Sequence, residues 1–424
     1  MTLVPPPSPL TEPAGSFGDW TAAGLFPLVP APVRACSSLS RRVDLVEGAV
    51  REAHVSANQD AVIAAATRAL TAAARIAAEC GDTQLAARVT SHHTSVYADL
   101  ARTLTASEAH HMLAPLIGLA RLGAASLDER IATLRRMLHA TRAQIPITVS
   151  GVVAPLGNIR ATVQQRSALV ALLHRQLLVT ATTALPAVER WEAAVALARA
   201  YGGIGHDLGA GRQILVLERL YAGDRAGARS RIEESVVGQW WHAPVAACLQ
   251  VLAADPDQRG TAALALLEQY RHTRDLPGPE LLDVRASHEG PRPAGGHAGD
   301  GTSRDRAPDR AAGANRVGFV GRFGLVVASL TTTGPAAGIP AARHIGQQIA
   351  RELVTRALEV PDGYTARDVL RHDATSRVAS AEQHTQLVTI IRKAGLLSGA
   401  LTDYQRRRLN TAADQAAEAL RGAL

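Results

Sequence analysis

Lysine is all but missing from this chain: of its 45 basic residues, Lys393 is the one lysine and the other 44 are arginine. That shortage removes several chemistries. A phosphate-cradling glycine loop needs a lysine followed by serine or threonine, to reach the terminal phosphates and the magnesium. The glycines between Gly202 and Gly211 have no lysine near them, and Lys393 is followed by Ala394. A kinase-type lysine, or a pyridoxal Schiff base anywhere but at Lys393, is disfavoured on the same ground. Cysteine is nearly as scarce. Cys36, Cys80 and Cys248 lie far apart, with no Cys-x-x-Cys pair, so no disulfide framework is expected. Aromatic residues make up only 3% of the chain. No run approaches the roughly 18 consecutive apolar residues of a membrane helix; the nearest is Leu325 to Leu330. The chain opens with Met1 and Pro5-Pro6-Pro7, without a basic stretch followed by an apolar one, so no secretory signal and no membrane association are expected, and the expected location is cytoplasmic.

What remains is helix-forming material. Hydrophobic residues are 47% of the 424, and alanine and leucine, the strongest apolar helix formers, supply most of them. The formal charge is +7. The excess reads as spread along the chain, with one short run at Arg406, Arg407 and Arg408. A nucleic-acid partner is therefore disfavoured, because a clustered basic face is its usual footprint.

Residues 1–40 are rich in proline, which blocks helix, and are expected to form a disordered or extended arm, with Trp20, Leu25 and Phe26 as the residues able to dock. Helical patterning begins near Arg41. Val62, Ile63, Ala66, Leu70, Ala73, Ile76 and Ala77 form one stripe at helical spacing behind a cap at Asn58 or Asp60. Gly81-Asp82 ends that helix and caps the next, which carries Leu85, Val89 and Val96. Further helices are expected at 107–122 and around Leu127, Ile131, Leu134 and Leu138. The β-branched residues of 145–155, with a Ser150-Gly151 turn, predict a small inserted β-hairpin. Helices then resume and run to about 272. Residues 285–316 are rich in glycine, proline, aspartate and arginine, and predict a flexible linker. A C-terminal helical region over 317–424 follows, with helices expected near 342–358, 366–370, 381–394 and 402–420.

The fold class that follows is all-α: stacked antiparallel helical hairpins over 41–284, with one inserted hairpin of strands. Two segments resemble tetratricopeptide units. One has Leu70, Ala73, Ala74, Ala77, Gly81 and Ala86 around its turn; the other has Leu215, Val216, Arg219, Gly223, Ala228 and Ile232. The small residue five positions after the turn glycine is where that family packs helix on helix. The family's early tryptophan and terminal proline are missing from both units. The stretch from Tyr201 to Gln213 is also similar to a segment of uncharacterised helical-repeat proteins of high-GC bacteria. The resemblance implies a tetratricopeptide-like solenoid and no chemistry.

Candidate sites are sparse. The Gly202–Gly211 cluster reads as a turn that leads into a helix at Arg212. Gly318, Gly321 and Gly324 have dinucleotide-motif spacing but no preceding strand. His92-His93 and His110-His111 are adjacent pairs that a helix points about 100° apart, and Glu108 with His111 gives a single Glu-x-x-His where a di-iron bundle needs two. No metal and no cofactor are expected, and no complete catalytic motif is present. Trp240 and Trp241 stand out in so aromatic-poor a chain; a junction between helices, shared with Trp191, Tyr201 and Tyr221, is the ordinary reason for such a pair.

The leading expectation is a non-enzymatic adaptor that binds a protein or peptide in a groove, with Arg212, Arg219, Trp240 and Trp241 as groove residues. The first rival is an enzyme, or an enzyme accessory protein in a biosynthetic pathway, that uses His206, Asp207 and Arg212. The second is an arginine-rich, nucleic-acid-associated regulator.

Overall fold

The computed structural model describes residues 23–30, 36–100, 102–275, 306–360, 362–397 and 399–424. Helices dominate it, and consecutive helices pack on one another. The first group is α1 (Leu39–Val55), α2 (Gln59–Glu79), α3 (Thr83–Ala98), α4 (Ala106–Leu122) and α5 (Leu127–Ala143). Their starts follow capping chemistry. Asn58 accepts hydrogen bonds from the backbone of Asp60 and Ala61, Asp82 from Leu85 and Ser126 from Glu129; each satisfies an N–H that the first turn leaves unpaired. Gly81, with φ of +79°, turns the chain between α2 and α3.

Four short strands flank this group: β1 (Leu104–Thr105), β2 (Ile147–Val149), β3 (Val152–Ala154) and β4 (Ile159–Arg160). β2 and β3 form the expected hairpin, and its turn residues Ser150 and Gly151 both have positive φ, the geometry that matches strand twist. The parallel pairing of β1 with β4 was not foreseen, since each contributes only two residues.

The second group is α6 (Val163–Val179), α7 (Trp191–Ala200), α8 (Ala210–Tyr221), α9 (Arg225–Glu233), α10 (His242–Ala253) and α11 (Arg259–Asp275). A π turn over Thr180–Ala184 extends α6 and bends the chain towards α7. The third is α12 (Arg306–Thr332), α13 (Pro340–Glu359), α14 (Gly363–Arg371), α15 (Asp373–Ser376), α16 (Ala381–Lys393) and α17 (Asp403–Ala423). α12 corrects the expected linker boundary: its backbone is helical from 306. Its glycines disfavour helix by about 1 kcal/mol each, but Phe319, Phe323, Val326, Val327 and Leu330 bury fully against α10, α11 and α13. The rest of the expected linker lies outside the described residues.

Two further expectations change. Within the proline-rich arm, residues 23–30 are fixed. Ala23, Leu25, Phe26 and Leu28 are buried, Arg322 donates to the carbonyls of Leu25 and Pro27, and Leu28 exchanges hydrogen bonds with the buried side chain of Gln213. Proline blocks helix but not an extended strap, and the apolar residues between the prolines drive the burial. The rest of the arm before 23 lies outside the described residues. Moreover, α2 and the run Val163–Val188 are each long and apolar enough to cross a membrane, by length and composition, although neither is an unbroken apolar run. For α2, packing against α1, α3 and α17 accounts for the apolar content.

The path of packed helices closes on itself. α17 lies against α1, α2 and α3, presenting Leu409, Ala412, Ala413, Ala416, Ala417 and Leu420 to an equally alanine-rich face of α2. Polar contacts fasten the seam. Arg42 pairs with Glu79, which also accepts the hydroxyl of Tyr364, and Arg42 donates to the carbonyl of Ala394 at 2.8 Å. The Cys36 N–H reaches Asp362, Cys80 reaches the carbonyl of Gly395, and Arg408 pairs with Glu47 and Asp44. Burial is the main influence raising the Cys36 and Cys80 thiols, Cys80 to about 11, so both stay protonated and act as small core residues.

Two outcomes are expected. Replacing Arg42 with methionine strands a largely buried Glu79 and lowers unfolding free energy in urea by about 2 to 3 kcal/mol, whereas Arg408→Ala, at the more exposed rim, costs less than about 1 kcal/mol. His93, buried in α3 with its Nε2 unpartnered, is held down to about 3, mainly by burial and further by His111 and His92. An unfolded histidine titrates near 6.5. Its contribution to stability is therefore whole above about pH 6.5 and falls by about 1.4 kcal/mol per unit as pH drops from there towards 3. Urea melts of His93→Leu should show that slope flattened by one proton.

Candidate functional site

The glycine-rich stretch after α7 forms a backbone junction. Gly202 has φ of +67°, which favours glycine, and a Cβ on Gly211 would stand 2.0 Å from the carbonyl oxygen of Gly203. Close approach of two chain segments is the physical reason for the glycines. The backbone then pairs with the end of α9's loop: Val236 N–H donates to the carbonyl of His206 and Leu208 N–H to that of Val236.

Arg212 sits beneath this junction, 5% exposed. Its guanidinium donates to the carbonyl of Arg231, the hydroxyl of Ser235 and the carboxylate of Glu234. It ties α8 to the C-terminus of α9, and burial takes it out of reach of a groove ligand. His206 and Asp207 are exposed above it, so this trio shares a segment but not a cavity. Arg219 pairs with Asp224 and Glu218 within its own hairpin. Trp240 meets the ring of Phe319 edge-on at 5.1 Å, and Trp241 packs on His242 and Phe319; the pair closes the junction of α10 with α12. Trp191 and Tyr221 form a separate ring pair, and Tyr201 lies against His174.

The remaining motifs are also structural. Glu108 belongs to a capping box with Thr105 and pairs with Arg102; that hydrogen bond is the main influence drawing it down to about 2. Gly318, Gly321 and Gly324 lie inside α12. Among the described residues no three metal-ligating side chains converge.

Two clefts open on the surface. One, of about 380 Å³, is lined by Glu189, Arg190, Trp191, Glu192, Glu218 and Tyr221 among others, and Arg190 is paired with Asp128 across its edge. The other, of about 360 Å³, lies between the end of α5 and α6, and Arg142, Val163, Arg166, Ser167, Val170, Ala171 and His174 line it. Here Arg142 donates to Nε2 of His174 at 2.7 Å. Partial burial, with Arg142 second, lowers that imidazole's affinity for a proton, consistent with a neutral ring accepting the bond.

The second cleft lies in the longest stretch of the chain without an acidic residue. From 130 to 188 there are seven arginines and no aspartate or glutamate, so the whole formal excess falls in this stretch and the rest balances. This corrects the expectation of a spread-out excess. Arg135, Arg136, Arg142, Arg160 and Arg175 are exposed, Arg130 and Arg166 half-buried. None of the seven has a carboxylate partner among the described residues, while arginines elsewhere pair repeatedly. Five of the exposed large apolar residues, Ile145, Val153, Val163, Val179 and Val188, share the same stretch.

No family model matches the chain, and no curated protein matches it. Among solved structures, a circular tandem repeat protein with novel repeat topology and enhanced subunit contact surfaces aligns over 91% of this chain and 72% of its own length, at 13% identity and a TM-score of 0.14. The fold rests on the helices described above.

Replacing Arg212 with methionine should lower stability by about 1 to 2 kcal/mol in chemical denaturation, since the Arg231 carbonyl and the Ser235 hydroxyl lose a charged, partly buried donor. His206→Ala and Asp207→Ala should each shift it by less than about 0.5 kcal/mol, as exposed positions do.

Proposed function

We propose that this chain is a non-enzymatic interaction scaffold, tetratricopeptide-like in design, that binds a protein partner through the α5–α6 face. The observation that carries the proposal is the uncompensated positive stretch of 130–188. A folded surface ordinarily intersperses both signs. Two of the stretch's seven arginines, Arg142 and Arg166, line the cleft, and a surface of unpaired arginines raises the concentration of anionic groups near it and speeds their encounter.

The repeat reading draws support from both hairpins that resemble tetratricopeptide units. In each, the turn glycine has positive φ (Gly81 and Gly223) and the small residue five positions on, Ala86 or Ala228, is fully buried between helices. Helices that cannot bury their own faces stack on neighbours, and arrays of this kind leave extended surfaces for partners. The groove assigned from sequence around Arg212, Trp240 and Trp241 gives way to the α5–α6 face: Arg212 is buried and Trp241 packs internally, while Trp240, though 41% exposed, seals the α10–α12 junction against Phe319.

The test is a capture comparison in native-host extract between the unaltered protein and the triple variant Arg135→Glu, Arg142→Glu, Arg166→Glu. With both showing the same far-ultraviolet circular dichroism, the unaltered protein should enrich one dominant protein that the variant loses. Equal recovery by both, or recovery of nucleic acid alone, counts against the proposal.

A further inference from the structure

The α6 residues that line the second cleft are Val163, Arg166, Ser167, Val170, Ala171 and His174. They fall at i, i+3, i+4, i+7, i+8 and i+11, the spacing with which one helix presents a face to another. The core side of α6 is a different and narrower stripe, in which Leu169, Leu173 and Leu177 are its buried residues. The cleft-lining face is open: Val163 is 83% exposed, and Ser167 and Ala171 are exposed too. α6 thus has two packing faces and one is covered.

The chemistry of the open face specifies what would cover it. Val163 and Val170 provide aliphatic contact at the two ends of two helical turns. Ser167 and Ala171 are short enough to let another backbone approach. Arg166 on α6 and Arg142 at the end of α5 flank this strip, and neither has an acidic partner among the described residues. We propose that the α5–α6 cleft is a docking groove for an acidic amphipathic helix of another protein. Its aliphatic residues at i and i+3 or i+4 would seat on Val163, Ala171 and Val170, and aspartate or glutamate beside that stripe would pair with Arg142 and Arg166. This rests on the scaffold reading and adds the partner's chemistry.

Other occupants fit less well. A second copy of this chain would set arginine against arginine, since the stretch has no acid to offer in return. Single-stranded nucleic acid is held by successive bases stacking on aromatic side chains, and this cleft offers one ring, His174, with no phenylalanine, tyrosine or tryptophan in its lining. A lipid surface takes up projecting aliphatic and aromatic residues, whereas Val170 is half-buried within a concavity.

The experiment uses the full chain and a fluorescent synthetic helix of about 18 residues, with leucine at i, i+3, i+4 and i+7 and glutamate flanking that stripe. The controls are the same helix with lysine for glutamate, an oligothymidylate and vesicles of anionic phospholipid. Fluorescence anisotropy should show the glutamate helix binding and the lysine helix not. Arg142→Glu with Arg166→Glu should weaken binding by about tenfold or more, the loss of two partly exposed ion pairs. Ala171→Trp, which fills the groove from an exposed position without touching the core stripe, should abolish it. In the complex the His174 ring, followed by NMR, should bind its proton at higher pH than in the free protein, because a carboxylate enters beside it. No binding of the glutamate helix, equal binding of the lysine helix, indifference to these substitutions, or preference for the oligonucleotide or the vesicles overturns the proposal. The scaffold reading fails separately, when extract capture yields no arginine-dependent protein.

Discussion

The contact between α17 and α2 is the constraint on which the rest of the structure depends. Both faces are built chiefly of alanine, with a few larger residues such as Leu409 and Leu420, so the helices gain their stability from close packing over a long interface more than from interlocking side chains. Such a flat seam specifies register weakly by itself. The polar fasteners around it, above all Arg42 with Glu79, Tyr364 and the Ala394 carbonyl, supply the directionality that alanine lacks. With that seam in place, the chain's helices share a nearly continuous core, from the strap at Leu25 to Leu420.

Much of this was legible in the sequence. The α2 stripe, the Gly81-Asp82 turn, the β-branched hairpin and the final helices follow from helical period, capping residues and turn chemistry. Those signals are local, and so is what they report. The closure of α17 on α2 was not legible, because an alanine stripe does not name its partner. α12 was hidden by its glycines, which local propensity counts against helix while tertiary burial of Phe319 and Phe323 overrides it. The strap at 23–30 was only half legible: Leu25 and Phe26 stand out as apolar residues able to dock, but the prolines around them do not say where.

The candidate face was legible in a different currency from the one first applied. Trp240 and Trp241 stand out because tryptophan is rare in the chain, and Arg212 because it follows a glycine cluster. Unusual residues in a sparse chain are commonly those that the fold itself requires, and here they join helices. The α5–α6 face contains no unusual residue. Its signal is the absence of acid over a long stretch, visible in a running charge count and invisible to a list of motifs. Burial decided between the two, since it separates an arginine that holds two helices together from one that is left without a counter-ion.

A linear stack of helical hairpins has two ends, and each must be sealed by a helix with a polar outer side or else it frays. Here α17 packs against α1, α2 and α3, so these helices bury one side on a helix from the other part of the chain. Loosening at one terminus removes the shelter of the other, so the two ends cannot melt independently. A chain closed in this way would then lose its structure in a single concerted step, as small globular domains do, and the proposed α5–α6 face would be held at a fixed curvature instead of flexing like a spring.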